Sequence, residues 1–168
     1  MKTRNGFVSN SSSSSFVIGL KKKPVTIEQA KAILFPLGSL QGLMAPYDDV
    51  FYSADQVAAS VLANLADAEP MTREQLIEEI NSGWYEGRPE YPANSWGLKG
   101  KAQQEAWDKH DEDCEKAAGK VFDQSFGPRM GELEFYKVEY SDNDGPFQSS
   151  MEHGDVFRNV FHVKISHH

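Results

Sequence analysis

The pattern of apolar and polar positions divides the chain into a first strand, a helical middle and a strand-rich end. Phe16 to Leu20 is a short, continuous run of apolar residues, which predicts a buried strand. Apolar residues then recur at helical spacing, and in the last quarter they alternate with polar residues. The sequence therefore predicts an α+β fold. About four helices pack on a small, mostly antiparallel sheet formed by the N-terminal strand and the C-terminal strands.

Three segments in the middle of the chain begin with the signature of a helix N-terminus. Thr26, Ser53 and Thr72 are each followed three positions later by Gln. In such a capping box, the hydroxyl accepts a hydrogen bond from a backbone N–H and the amide side chain reaches back to the start of the helix. A longer helix is predicted from about 101 to 125, where the apolar residues form one stripe.

The last quarter of the chain changes from helical to strand periodicity. Apolar and polar residues alternate over 136–140 and again over 161–166, which predicts two strands. Between them, the segment 141–146 has the composition of a turn, and a short helix is predicted within 149–160.

The chain has the length and composition of one domain. Its 168 residues are 39% hydrophobic and 25% charged, which is ordinary for a globular protein. We take residues 1–168 as a single domain in which 1–15 form a serine-rich leader segment. The segments 38–52 and 82–100 are predicted loops because they are rich in Gly and Pro.

The charge balance and the cysteine content narrow the class of protein. A formal net charge of −8 argues against direct binding to nucleic acid or to an anionic membrane, both of which need a basic face. No stretch approaches the ~20 apolar residues of a membrane-spanning helix. The single cysteine, Cys114, fits a reducing cytoplasm, and its position one helical turn after His110 is typical of two packed core residues. An acidic decoy of nucleic acid stays open as a function.

Potential metal ligands are concentrated near the C-terminus, where all but one of the five histidines lie. Imidazole and carboxylate groups are the usual ligands of zinc, manganese and iron. A strand advances about 3.3 Å per residue, so His162 and His168 would lie about 20 Å apart and cannot share one ion. The candidate ligands of a divalent metal are therefore His153, His162, Glu152, Asp142 and Asp144. The alternative is a solvated turn with histidines that bind no ion.

The loop near the middle of the chain is the candidate binding surface. Trp, Tyr and Arg are the residue types that anchor protein interfaces. The alternative is that the rings fold back and cover helix ends, because large aromatic side chains are usually buried. The candidate residues are Trp84, Tyr85, Arg88, Tyr91 and Trp96.

The serine run before the first strand is the third feature of interest. Its hydroxyls could bind phosphate, be modified, or be recognised by a partner, and the alternative is a solvated low-complexity leader. The segment 1–16, MKTRNGFVSNSSSSSF, resembles a start seen on many uncharacterised proteins of bacteriophages and bacteria. The segments 141–145, 151–155 and 165–168 resemble a recurring tail of such proteins. The resemblance implies a phage-encoded or phage-derived accessory protein in the cytoplasm of a bacterial host, and it implies no particular activity.

These observations lead to two main expectations about function. The first is a phage-type accessory protein that binds a host or phage protein through the aromatic loop and the N-terminal segment. The second is a metal-dependent hydrolase, in which the ion lowers the pKa of a bound water and a nearby carboxylate acts as base. A third reading, an ADP-ribosyltransferase-like enzyme, uses Arg4, the serines before Phe16 and Glu132-Leu133-Glu134, but Arg4 lies too close to the serines for that class.

Overall fold

The central element of the fold is a strand formed by the end of the serine run. A computed structural model describes residues 13–47, 49–93 and 97–167. Strand β1 (Ser13–Leu20) pairs antiparallel with β4 (Glu134–Ser141) on one side and with β5 (Phe161–Ser166) on the other. The prediction of an α+β fold, with a sheet built from N-terminal and C-terminal strands, is therefore confirmed.

Strand β1 begins three residues earlier than the apolar run predicts. Ser13, Ser14 and Ser15 continue its ladders, and Ser14 pairs with Tyr140 on one side and with Ser166 on the other. Ser14 and Ser15 are 1% and 0% exposed, so the last serines of the run belong to the protein interior. Serine has no strong strand preference of its own, and it is the two flanking strands that hold these residues in the sheet.

The two faces of the sheet bury separate cores. Alternation along β1 sends Phe16 and Ile18 to the first core and Val17 to the second. The first core contains buried residues of α1 (Ile27–Leu34), α2 (Ala54–Leu65) and α5 (Pro146–His153). The second core contains buried residues of α3 (Arg73–Ser82) and α4 (Lys101–Ser125). A strand buried on both faces explains why the run from Phe16 to Leu20 is continuously apolar.

The described residues form five helices, so the prediction of about four is wrong. The helix whose bounds differ most from the prediction is α5, which begins at Pro146, inside the segment predicted as a turn, and ends at His153. Gly145 precedes it with a φ of 103°, and Pro146 occupies its first turn, where a missing N–H costs nothing. The sequence pattern placed a short helix later, within 149–160, because it assigned all of 141–146 to the turn.

The predicted capping boxes are formed at two of the three helix starts. Ser53 and Gln56 exchange hydrogen bonds at the start of α2, and Thr72 and Gln75 do so at the start of α3. At α1 the Thr26 hydroxyl also caps the helix, but the Gln29 side chain bonds to the N–H of Val25 rather than to that of Thr26. The box is therefore only half formed there.

The segment 38–52, predicted as a loop, contains part of a small hairpin. Strand β2 (Gly42–Met44) pairs antiparallel with β3 (Phe51–Ser53). Leu43 is buried in the first core, and the Arg158 guanidinium donates to the carbonyl of Gly42 at 3.2 Å. Strands of three residues are too short to show the alternation from which a strand is predicted.

Helix α4 has the bounds that its apolar stripe predicts, and it packs on α3 across the second core. His110 and Cys114 are 8% and 2% exposed, in agreement with their interpretation as core residues. Over the parts of the chain given above, no helix combines the length and the apolar character that crossing a bilayer requires.

Candidate functional site

Three of the predicted metal ligands converge at one end of the first core. Asp142 begins the 3-10 turn Asp142–Asp144 that follows β4, and Glu152 and His153 form the last turn of α5. One ligand atom from each of the three residues lies within 4.8 Å of the others. We call Asp142, Glu152 and His153 the ligand cluster.

Local chemistry explains why the turn and the helix end meet. The Ser141 hydroxyl accepts a hydrogen bond from the N–H of Asn143 at 3.3 Å, which closes the turn immediately after β4. Helix α5 begins directly after Gly145, and its penultimate residue, Glu152, reaches Ser14 on β1. The cluster therefore depends on backbone geometry over 141–153.

Glu152 is the most buried member of the cluster. Its side chain is 0% exposed, and its Oε1 accepts a hydrogen bond from the Ser14 hydroxyl at 3.0 Å. Its other oxygen, Oε2, lies 3.8 Å from Nε2 of His153. Burying a carboxylate costs free energy that hydrogen bonds and positive charge offset, so a buried Glu beside an imidazole is a favourable place for a cation.

His153 lies on the solvent side of the cluster. Its side chain is 26% exposed, and the ring of Tyr47 meets it edge-on with 5.6 Å between centroids. Tyr47 belongs to the connection between β2 and β3 and is itself 74% exposed. The cluster is therefore closed on the β1 side by Ser14 and accessible on the side of His153.

The structure places the other two predicted ligands, His162 and Asp144, outside the cluster. His162 lies on β5, where its Nδ1 is 3.1 Å from the carbonyl oxygen of Val160 and its ring lies beside Phe157. Asp144 lines a neighbouring cavity of about 260 Å³ together with Ser13 and His167. His168 lies outside the described residues.

The residues of the predicted aromatic surface divide between interior and exterior. Tyr85 is 9% exposed and its hydroxyl donates to the carbonyl of Cys114 at 2.9 Å. Burial and the Cys114 thiol raise the pKa of Tyr85, while the charge of Arg88 acts in the opposite direction. The Arg88 guanidinium donates to the carbonyls of Asn81 and Gly83. These bonds hold the loop against the C-terminal end of α3.

Trp84 and Tyr91 are the exposed members of that loop. The Trp84 side chain is exposed, with 69% exposure for the residue, while its backbone N–H donates to the carbonyl of Ser166 at 3.0 Å. Tyr91 is 71% exposed and stacks on His110 with 5.4 Å between ring centroids. Trp96 lies outside the described residues.

A second polar network lies on the opposite face of β1, and the sequence gives no signal for it. The Ser15 hydroxyl donates to Oε1 of Glu79 on α3 and lies 2.9 Å from Nε2 of His167. Lys137 on β4 binds the other oxygen of Glu79 at 2.9 Å. Burial lowers the pKa of Lys137, but hydrogen bonds to Glu139 and Glu79 outweigh it and raise the pKa overall. Successive serines of the run thus donate to a Glu on opposite faces of the sheet, Ser14 to Glu152 and Ser15 to Glu79.

Two surfaces were not predicted from the sequence. The hairpin exposes apolar side chains: Met44 and Phe51, which pair across the two strands, are 54% and 46% exposed. A cavity of about 650 Å³ lies between α3 and α4, and acidic residues dominate its lining. These are Glu74, Glu78, Asp108, Asp111, Glu112 and Glu115, with Arg73 as the cation among its lining residues.

The residues of the ADP-ribosyltransferase hypothesis either make other contacts, are buried, or lie outside the described ranges. Glu134 begins β4, and its Oε2 accepts a hydrogen bond from the Tyr136 hydroxyl at 2.7 Å. Ser14 and Ser15 are buried. Arg4 lies outside the described residues.

We compared the chain with protein-family models, curated proteins and solved structures, and it matches none of them.

Proposed function

We propose that this protein binds a divalent transition-metal ion through Asp142, Glu152 and His153 and acts as a metal-dependent hydrolase. The observation that carries the proposal is the convergence of three ligand atoms within 4.8 Å of one another. Metal–ligand bonds of about 2.0–2.2 Å place two ligands of one ion at most about 4 Å apart. Closing the cluster by roughly 1 Å is therefore enough to bind an ion.

The donor set indicates the kind of ion. One imidazole and two carboxylates suit zinc, manganese or iron(II). Glu152 and His153 also lie at the C-terminal end of α5, where the helix dipole favours positive charge.

The number of ligands is typical of a catalytic site rather than a structural one. Catalytic zinc sites use three protein ligands and leave a position for water or substrate, whereas structural sites use four. An ion bound in this way lowers the pKa of its water toward neutrality and so generates a nucleophile for hydrolysis. Asp142 and His153 are partly exposed, which gives substrate a direction of approach.

The test is metal content measured by elemental analysis on protein purified without a histidine tag. We expect about one ion per chain, and loss of that ion in His153→Ala and Glu152→Gln. His162→Ala and Asp144→Asn are the matched controls, because both residues are candidate ligands by type that lie outside the cluster.

Melting measurements with and without a chelator provide a second readout. A ligand that binds only the folded state raises the melting temperature, so the chelator should lower it in wild type and leave His153→Ala unchanged. Absence of bound metal, together with a melting temperature that added zinc and manganese do not change, would contradict the proposal. A screen of ester, amide and phosphoester substrates then identifies the reaction.

Protein binding is the second candidate function, and the exposed apolar side chains favour it. Trp84 is 69% exposed, and Met44, Tyr47, Val50 and Phe51 give the hairpin several exposed apolar side chains. We propose a host or phage protein as the partner, in keeping with the resemblance of the N-terminal segment. The test is a capture experiment from bacterial lysate in which Trp84→Ala or the double variant Met44→Ser, Phe51→Ser loses a protein that wild type retains. Retention of the same proteins by all variants would contradict it.

A further inference from the structure

Ser14 connects the N-terminal serine run with the ligand cluster. It lies on the face of β1 that carries Phe16 and Ile18, it is 1% exposed, and its hydroxyl donates to Oε1 of Glu152 at 3.0 Å. The two residues are 138 positions apart in the sequence.

This hydrogen bond gives the two oxygens of Glu152 different surroundings. Oε1 faces Ser14 on the closed side of the cluster, whereas Oε2 is 3.8 Å from the imidazole of His153. While the hydroxyl holds Oε1, the carboxylate presents one oxygen to an ion that is also bound by His153.

We propose that Ser14 is the residue that determines metal specificity at this site, because it holds Glu152 as a one-oxygen ligand. The inference rests on the metal binding proposed above. Transition ions such as Zn²⁺ are bound by few ligands at short distances, whereas Ca²⁺ takes six to eight oxygens and often a two-oxygen Glu. A carboxylate restricted to one oxygen therefore favours the transition ion over Ca²⁺.

The neighbouring serine provides a matched control. Ser15 has the same side chain, lies in the same strand and is equally buried, but its hydroxyl contacts Glu79 and His167 on the other face of the sheet. Replacing Ser15 therefore removes a buried serine hydroxyl without touching the ligand cluster.

The experiment measures dissociation constants for Zn²⁺, Mn²⁺ and Ca²⁺ by calorimetric titration of metal-free wild type, Ser14→Ala, Ser14→Thr and Ser15→Ala. Loss of a group that orients a ligand typically weakens metal binding 10- to 100-fold. We expect Ser14→Ala to weaken Zn²⁺ and Mn²⁺ binding by about that factor while Ca²⁺ binding does not weaken. Ser14→Thr, which keeps the hydroxyl, should restore the preference, and Ser15→Ala should match wild type.

The titrations of wild type test the same inference without any variant. If Glu152 is held as a one-oxygen ligand, wild type should bind Zn²⁺ and Mn²⁺ more tightly than Ca²⁺. Binding of Ca²⁺ at least as tight as that of Zn²⁺ would overturn the inference even if Ser14→Ala does not fold.

The outcomes separate this inference from the proposed function. If wild type binds Zn²⁺ and folded Ser14→Ala keeps the same ratio of Zn²⁺ to Ca²⁺ affinity, the role of Ser14 is refuted and the metal site stands. If wild type binds none of the ions, the metal site itself is refuted, and the inference about Ser14 falls with it.

Discussion

Tyr136 is a single buried residue that makes the stability of the fold depend on pH. It is 2% exposed, and its hydroxyl donates to Oε2 of Glu134 at 2.7 Å. Burial, together with the hydrogen bond and charge of Glu134, raises the pKa of Tyr136 to about 12 from an ordinary value near 10. Burial also raises the pKa of Tyr140. Both side chains are therefore held neutral in the first core.

The raised pKa of Tyr136 predicts a loss of stability at alkaline pH. Between pH ~10 and ~12 the unfolded chain releases the proton while the folded chain keeps it, so the free energy of unfolding falls as the pH rises through this window. Urea unfolding at several pH values measures the fall. Tyr136→Phe should reduce its slope, whereas Tyr47→Phe, at a residue 74% exposed, serves as the control. An unchanged slope in Tyr136→Phe would contradict the assignment.

At the scale of single residues, the sequence identifies candidate ligands by their chemistry but does not indicate which residues contact each other in the fold. Asp142, Glu152 and His153 could be named as candidate ligands because they are close in sequence and of the right chemistry. His162 was a candidate for the same reasons, but its nitrogen faces the carbonyl of Val160. The hydrogen bond from Ser14 to Glu152 joins residues 138 positions apart, and no local pattern indicates it.

At the scale of elements, Gly154 sets how closely the hairpin approaches α5. It follows His153 directly, and a Cβ placed on it would lie 2.5 Å from the carbonyl oxygen of Ser150 and 2.6 Å from Cδ1 of Leu43. Leu43 is the buried residue of β2 in the first core. The end of α5 can therefore pack against β2 only because residue 154 lacks a side chain.

Gly154→Ala should consequently disturb both elements. Introducing a methyl group into packed structure typically costs about 1–3 kcal/mol of unfolding free energy, and the shift should also weaken metal binding by His153. Gly119→Ala in α4 is the control, because a Cβ there meets no atom within 4 Å and alanine favours a helix. Urea unfolding and zinc titration of the two variants measure the effects. Equal stability of Gly154→Ala and wild type would refute the packing argument.

Elements with local signals were predicted well, and those without them were not. Ser53 and Thr72 predict the starts of α2 and α3, because a capping box is a contact between residues three positions apart in the sequence. The β2–β3 hairpin has no comparable signal. Its short strands are held by tertiary contacts such as that between Arg158 and the Gly42 carbonyl.

At the scale of the whole molecule, charge is concentrated between α3 and α4. Acidic side chains from both helices line the cavity of about 650 Å³ there. The negative charges that line one cavity repel each other. Salt screens this repulsion, because the Debye length is about 10 Å at 0.1 M. The net charge of −8 adds to the same effect.

The melting temperature should therefore rise with sodium chloride concentration. A gain of about 1 kcal/mol corresponds to a shift of about 2–4 °C for a chain of this size. The double variant Glu78→Gln, Asp111→Asn should melt higher than wild type at low salt and respond less to added salt, because it removes one charge from each side of the cavity. A melting temperature that falls with added salt would show that favourable ion pairs outweigh the repulsion.

The order of the sheet also has a consequence for how the chain is made. Strand β1 lies between β4 and β5, and both partners are more than a hundred residues downstream of it. A ribosome therefore makes the central strand first and its partners last, so during synthesis the segment Phe16–Leu20 has neither partner strand to pair with. A nascent chain interrupted before residue 134 would expose that strand to other chains. Chaperone capture or aggregation of truncated products would follow directly from the position of β1 in the sheet.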